Sequence, residues 1–420
     1  MKQTLIISFI SLLVISCNKI TNSNTIIETE KDSIFIKDYN QYWSIVNDNF
    51  AYFDTRKTDW NKVKEIFQPI VDTISNTNDF ITILEMSNNE LYNGHIGLNR
   101  NTSTSSKLIP TSTDIWAIYK NGKFYIESIR ENSKIEKTDL KVGMEIIEFN
   151  NIQIKEAIKE FLPKSFSNYN SETYEFSVNT LLAGKHNSNR SIKVLQNNNV
   201  LKVELPYSNN EDYYSNNKLL SSKLLENNIG CIKINNSLGN NDLIEYFDKE
   251  LDDLFDTKSL ILDLRETPSG GNNTIAKAIM GRFISTEKSY QRYRFTSDEK
   301  ETGVKQIWTE QVFPRGKTYS NPLVILVGRW TGSMGEGIAI GFDGMKRAEI
   351  VGSEMAKLLG GTWNYKLDKT GIGFQIPYNK IYHINKTPRE NFVPEFKTIQ
   401  NVDYLKKTKE LLNKTNANNT

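Results

Sequence analysis

The short β-branched run Pro322-Leu-Val-Ile-Leu-Val-Gly328 leads into Thr331-Gly332-Ser333-Met334-Gly335-Glu336, and this junction constrains the chain more than any other segment. The run reads as a buried strand, and Met334 to Phe342 reads as a helix. A serine on a sharp strand-to-helix turn points its hydroxyl out of the fold. Amides at the helix start, that of Met334 first, then lie where an oxyanion would form. The same pattern also fits a plain serine helix cap.

Around this junction the C-terminal half alternates strand and helix. The segments are Gly230–Ile234, Leu243–Phe255, Ser259–Leu264, Thr274–Phe283, Pro322–Gly328, Gly335–Gly344 and Ala348–Val351. Such alternation predicts an α/β layer with a largely parallel sheet. The N-terminal part from Ser33 to Asn89 is helical in pattern, with Tyr39, Tyr42, Trp43, Val46 and Phe50 at three- and four-residue spacing. Between these parts, Ile115–Tyr119, Lys123–Ile129, Ser191–Leu195 and Val200–Pro206 read as strands, and polar residues 208–217 mark a boundary. Asparagine is abundant throughout, without a mechanistic message in itself.

The first residues carry an address. Lys2 precedes the apolar stretch Leu5 to Ile15, which is too short to span a bilayer comfortably. Val14-Ile15-Ser16-Cys17 follows and resembles a bacterial lipobox, in which the chain is cut before the cysteine and Cys17 is lipidated. An ordinary signal peptide with an incidental cysteine is the alternative. Acyl chains contribute about 0.8 kcal/mol per buried methylene, so two or more would anchor the chain stably. The one other cysteine, Cys231, lies in an apolar run and reads as a small buried strand residue, leaving no disulfide framework. A net charge of +2 gives no field that would favour nucleic acid.

A serine nucleophile needs a base, a group that orients it, and an oxyanion site. The chain has only three histidines, His95, His186 and His383. His186 falls in a polar turn and His383 in an alternating strand pattern. His95 lies in Leu91-Tyr-Asn-Gly-His-Ile-Gly-Leu98, where glycines allow a tight turn. A second buried strand, Ser259-Leu-Ile-Leu-Asp-Leu-Arg265, ends in Glu266-Thr-Pro-Ser-Gly-Gly271. Gly270 and Gly271 there could present backbone N–H groups to an oxyanion, while Asp263 and Arg265 read as a structural brace. No metal cluster or phosphate loop is evident, so no cofactor is expected.

Taken in order, these elements resemble the tricorn-type and C-terminal-processing serine peptidases, a group of PDZ-bearing proteases. The Leu-x-x-Gly-His element at 91–95, the stretch Ser133–Ile152 with its PDZ-like turn, the Asp-Leu-Arg…Gly-Gly loop, the Thr-x-Ser-x-x-Glu turn, Val351-Gly-Ser-Glu-Met355 and Glu390-Asn-Phe-Val-Pro-Glu395 carry the resemblance. It implies a multidomain α+β and α/β fold: an N-terminal helical region, a PDZ-like β domain and an α/β, crotonase-like protease core. The implied divisions are a lipoprotein signal peptide over 1–16, a tether over 17–33, the helical region carrying His95 over 34–108, the PDZ-like domain over 109–207, the core over 208–412 and a tail over 413–420.

The resemblance also implies roles. Ser333 is the expected nucleophile, His95 the base and Glu390 its orienting carboxylate, with Glu395 the competing choice. The Met334 amide and that of Gly270 or Gly271 are expected to form the oxyanion hole. In the processing branch a lysine replaces the histidine; that place falls near Leu358, one residue from Lys357, and the neighbouring glycine is missing. Glu336 matches the motif glutamate and has the simpler role of complementing the helix dipole. Thr267 and Ser269 depart from the glycine-loop pattern, and the segment after Glu390 lacks its two glycines. The expected activity is peptide-bond hydrolysis through an acyl-enzyme, on peptide or protein substrates, by an exported chain held to a membrane by its N-terminal lipid. The alternatives are a Ser333–Lys357 dyad, or a silent relative that binds peptides or lipophilic ligands. A PDZ-like module adds a peptide strand to a sheet edge, or else buttresses its neighbours.

Overall fold

Aromatic side chains at helical spacing build the N-terminal part. Three helices, Glu30–Asn49, Trp60–Val71 and Thr77–Asn89, bury Phe35, Tyr39, Tyr42, Val46 and Phe50 against Trp60, Val63, Phe67, Phe80 and Leu84. Asp59 and Asn76 start the second and third helices by accepting from the Lys62 and Asp79 amides. This computed structural model describes residues 30–398 except 132, 187 and 207–217, together with 404 and 406–412. The expected signal peptide with its lipidation site Cys17, most of the tether, the polar boundary and the tail lie outside the described residues.

The helices do not close a core of their own. Leu359, Leu367, Ile372, Phe374 and Ile376 of the C-terminal part complete it. Phe374 and Ile376 belong to the long strand Gly373–His383, the centre of an antiparallel sheet ordered Gly97–Leu98, Gly373–His383, Lys288–Arg294, Ile307–Val312, with Gly361–Lys366 paired to the long strand. The alternation of the sequence points only to a parallel sheet. This second sheet escapes it because its strands mix polar, aromatic and exposed positions.

The middle of the chain is an antiparallel sheet ordered Ile115–Lys120, Lys123–Ile129, Glu145–Phe149, Arg190–Gln196, Asn199–Leu205, packed on helix Ser171–Ala183. Three of its hairpins turn on two residues with positive φ: Asn121-Gly122, Asn150-Asn151 and Asn197-Asn198. Asparagine tolerates the left-handed region that such turns require, so part of the asparagine excess has a structural use.

The C-terminal core centres on a six-stranded sheet ordered Phe396–Lys397, Glu349–Gly352, Leu323–Val327, Ser259–Asp263, Ile229–Ile234, Leu220–Leu225. All neighbours are parallel except the last pair. Every residue of Ser259–Asp263 and Leu323–Val327 is buried, and each such aliphatic side chain contributes roughly 1.5–3 kcal/mol. Helices Leu243–Asp253, Asn273–Gly281 and Met334–Gly344 cover one face. Cys231 is buried on the strand Ile229–Ile234, and burial pushes its thiol up to about 11, which leaves it inert at neutral pH.

Candidate active site

Parallel neighbours deliver their C-terminal ends to the same edge of a sheet. Asp263 lies opposite Leu326, and the loops that follow stay joined. Leu264 N–H donates to the Leu326 carbonyl at 2.9 Å, Thr267 N–H to Trp330 at 3.0 Å, and Gly332 N–H to Thr267 at 3.2 Å. The Thr331 hydroxyl donates to the Leu264 carbonyl at 2.9 Å. Arg265 folds back on Asp263 at 2.7 Å and on Glu131 at 2.6 Å, bracing the loop as its sequence suggests.

Ser333 stands where these loops meet. It is half-buried, caps helix Met334–Gly344, and has φ 51° and ψ −110°. Positive φ is strained for a residue with a Cβ and persists only where neighbours enforce it. Gly270, itself at φ 65°, presses on Ser333 so closely that a Cβ there would collide with the serine Cβ. The Gly270 N–H is already committed to the Thr267 carbonyl at 3.1 Å. Among the described residues, the Met334 and Gly271 N–H groups make no hydrogen bond.

Glu336 does more than complement the helix dipole. Fully buried, its carboxylate accepts from the amides of Ser333 at 2.9 Å, Lys357 at 2.9 Å and Leu358 at 3.2 Å. Burial is the largest influence and raises this carboxyl to about 7, against the lowering by Arg389 and the three amides. It thereby fastens the strap 354–360 to the Ser333 turn. Asn93 grips the same strap, donating to the Lys357 carbonyl at 3.2 Å and accepting from Leu359 N–H at 3.2 Å. Arg389 donates to the carbonyls of Leu358 at 2.8 Å and Gly360 at 2.7 Å. The sequence gives only faint signals for these supports: an asparagine beside Gly94-His95, and a motif glutamate.

His95 reaches the site from far away in the chain. Gly97–Leu98 pairs with Phe374 and Gln375, and the Gln375 side chain donates to the His95 carbonyl at 3.0 Å. The His95 Nε2 lies 3.1 Å from Ser333 Oγ, and Nδ1 lies 2.5 Å from the Leu359 carbonyl oxygen. A carbonyl only accepts, so the proton sits on Nδ1 and Nε2 offers its lone pair to the hydroxyl. Burial first, then the Arg389 charge, lowers the imidazole to about 4, opposed by the Leu359 bond.

Glu390 and Lys357 lie elsewhere. No hydrogen bond joins Glu390 to His95 among the described residues; its Oε2 has no partner, burial raises its carboxyl, and Tyr52, Arg56 and Lys380 are its electrostatic neighbours. The Lys357 side chain is partly exposed and its Nζ pairs with Glu354 at 2.7 Å. Among the described residues no three His, Cys, Asp or Glu side chains gather as metal ligands.

A strained serine at a helix start, on the C-terminal edge of a parallel sheet and next to the unbonded Met334 amide, has the geometry of a covalent hydrolase. Residues 228–396 match the sequence profile of peptidase family S41, residues 35–86 that of the tricorn protease C1 domain, and residues 111–221 that of a PDZ domain. The chain is a serine-type peptidase. Its architecture is that of the S41 and tricorn group of PDZ-bearing peptidases: N-terminal helices, a PDZ-like β-domain and a mixed α/β peptidase domain. Among solved structures, mature CPAF superposes with a TM-score of 0.61 at 14% identity, covering 92% of this chain and 97% of that one. The photosystem II D1 C-terminal processing protease gives 0.52 at 13%, with 88% and 93% covered. A peptidase structure from Parabacteroides merdae gives 0.51 at 13%, with 90% and 96% covered. At these identities the likeness concerns the fold. No curated protein sequence matches the chain.

The expected Ser333–His95–Glu390 triad is therefore corrected. Peptidases of the S41 type work with a serine–lysine dyad rather than a serine–histidine–glutamate triad. The geometry agrees on the third member: the imidazole nitrogen that a carboxylate would hold is taken by the Leu359 carbonyl.

Proposed function

We propose that the chain hydrolyses peptide bonds through an acyl-enzyme on Ser333, with the Met334 and Gly271 amides receiving the oxyanion. The Ser333 turn carries this reading, since a half-buried hydroxyl at a strained helix start, with the unbonded Met334 N–H next to it and the unbonded Gly271 N–H one residue from the contacting Gly270, suits an attacking oxygen. The chemistry is that of a dyad. Ser333 Oγ bonds to the substrate carbonyl carbon while its proton passes to the base. The base returns that proton to the leaving amine as the C–N bond breaks, and water then cleaves the ester. Lys357, one residue from the place where the S41 pattern sets its lysine, is the candidate base. Glu336 and Asn93 already fix its main chain at the site, and its side chain must leave Glu354 to reach Ser333.

The 3.1 Å contact favours a second reading, in which His95 alone accepts the proton. Peptide hydrolysis and fluorophosphonate labelling of Ser333→Ala, Lys357→Met and His95→Gln decide between them. Ser333→Ala is expected to abolish both signals, and retained turnover would remove Ser333 from the mechanism. Loss of the true base costs about 10²–10⁴-fold. A large loss in Lys357→Met with a small one in His95→Gln supports the lysine, and the reverse ranking supports the histidine.

Three finer assignments belong with this reading. The lipobox-like Val14–Cys17 supports export and lipid attachment at Cys17, with the polar stretch behind it as tether. No helix of the described residues is long and apolar enough to cross a membrane. Retention of Cys17→Ala in the membrane fraction would contradict lipid anchoring. The core is assigned as crotonase-like, and divisions near 109 and 208 are drawn as domain boundaries. Peptide or protein segments are the assigned substrates.

A further inference from the structure

A peptide-binding PDZ module presents the free edge of one strand, and a ligand pairs its backbone with that edge. In this chain the corresponding edge belongs to Ile115–Lys120, which pairs with Lys123–Ile129 on one side only. Its other side is occupied. The Ala117 N–H donates to Asn179 Oδ1 at 2.8 Å, and Asn179 Nδ2 donates to the Ala117 carbonyl at 2.8 Å. Two residues on, the Tyr119 N–H points to Glu175 Oε1 at 3.4 Å. Ala117 and Tyr119 are successive outward-facing positions of an antiparallel strand, the positions at which an added strand would bond.

Asn179 is fully buried, as is Ala117. A primary amide offers the same donor and acceptor as a peptide group, so Asn179 stands where a ligand backbone would. Asparagine is a poor helix-interior residue, and an unpaired buried amide costs about 1–3 kcal/mol. Its bonds to Ala117 supply the compensation. Helix Ser171–Ala183 is held against the strand by further ties. Tyr174 stacks on Tyr119 with centroids 4.3 Å apart, Ser177 Oγ donates to the Phe161 carbonyl at 3.2 Å, and Arg190 bonds the Leu182 carbonyl at 2.6 Å and Asp114 at 2.8 Å.

The same domain is bolted to the Ser333 turn, and Arg329 of that turn stacks on Trp116 of the edge strand. Trp330 Nε1 donates to the Thr113 carbonyl at 2.9 Å, Arg329 pairs with Glu127 at 2.9 Å, and Arg130 pairs with Glu266 at 2.9 Å. We propose that the PDZ-like domain is self-ligated: Asn179 and Glu175 occupy its peptide-pairing edge, and the domain braces the nucleophile turn rather than receiving a peptide there.

Residue-level hydrogen exchange on the full chain tests this without reference to activity. The probe is a pool of dodecapeptides with free C-terminal carboxylates and apolar last residues. The expected result is slow exchange over Ile115–Lys120 that the pool leaves unchanged, and roughly tenfold faster exchange at Ala117 in Asn179→Leu. Peptide-induced slowing of this segment in the unaltered protein overturns the proposal, as does an unchanged Ala117 rate in the variant. Should Asn179→Leu fail to fold, Glu175→Ala takes its place. Faster exchange at Tyr119 then supports the self-ligated edge, and an unchanged rate there overturns it.

Discussion

Glu336→Gln separates stability from function at this site. Burial moves the Glu336 carboxyl from 4.5 to about 7 even though Arg389 and three amides favour its charged form. That difference corresponds to about 3 kcal/mol. The folded chain binds this proton more tightly than the unfolded chain, so the stabilisation is complete below pH 4.5 and is lost as pH rises through about 7. Glutamine imitates the protonated carboxyl, with one acceptor oxygen and one donor side. Glu336→Gln should therefore match the parent near pH 4.5 and exceed it by up to about 3 kcal/mol near pH 8. Urea unfolding followed by tryptophan fluorescence at both pH values reads this directly. The same change turns an N–H group towards the Lys357 amide, which now donates to Oε1 at 2.9 Å. The strap should loosen and fluorophosphonate labelling of Ser333 should fall. A stability difference that is the same at both pH values would refute the reasoning, because Glu336 would then ionise as freely in the folded chain as in the unfolded one.

Gly270→Ala places a methyl group against Ser333 at a backbone φ of 65°, so it should abolish Ser333 labelling while circular dichroism stays native; retained labelling would show that the loop can retreat. His95, lowered to about 4, stays neutral through about pH 5, and its neutral form contributes stability above 6.5 that is lost as pH falls through about 4. Under the second reading, with His95 as base, Ser333 labelling should persist to about pH 5 and drop near 4, whereas an inflection near 6.5 would mean a solvated imidazole. Glu127→Ala strips one carboxylate from the buried Arg329 and leaves Glu354 at 3.3 Å as its one remaining ion pair among the described residues, with Glu175 a more distant charge. It should cost roughly 3 kcal/mol in urea unfolding, and a cost below about 1 kcal/mol would show that the brace is dispensable.

The legible parts of this chain were those with a strong local pattern. Parallel strands buried on both faces read as unbroken apolar runs, which is why Ser259–Asp263 and Leu323–Val327 could be placed from composition alone. The turn at Ser333 was legible because a strand, a glycine-flanked serine and a helix occur in one short window. The antiparallel sheet was not, since Lys288–Arg294 and Ile307–Val312 carry charged, aromatic and exposed positions with no clean period. Which of the two glycine amides is left unbonded was equally hidden. Only geometry separates Gly270, whose amide closes a turn on Thr267, from Gly271. Glu390 departs from its expected place for a related reason. A carboxylate in the expected stretch of sequence says nothing of direction, and here the neighbouring Arg389, rather than Glu390, reaches the strap.

That last substitution points to how this site is organised. A side-chain carboxylate can be recognised in a sequence, but the group that holds His95 Nδ1 is the Leu359 carbonyl, a main-chain atom that any residue could supply. Its position is set by its neighbours. Glu336 holds the amides of Lys357 and Leu358, Asn93 holds the Lys357 carbonyl and the Leu359 amide, and Arg389 holds the carbonyls on either side of Leu359. Orientation has thus moved from one titratable side chain to a backbone segment clamped by three buried polar groups. The consequence is a difference in tolerance. Replacing Leu359 by another apolar residue should leave Ser333 labelling nearly unchanged, whereas Asn93→Ala, which frees a carbonyl and an amide at once, should impair it severely. Equal effects from the two changes would mean that the Leu359 side chain, rather than its carbonyl, positions the imidazole.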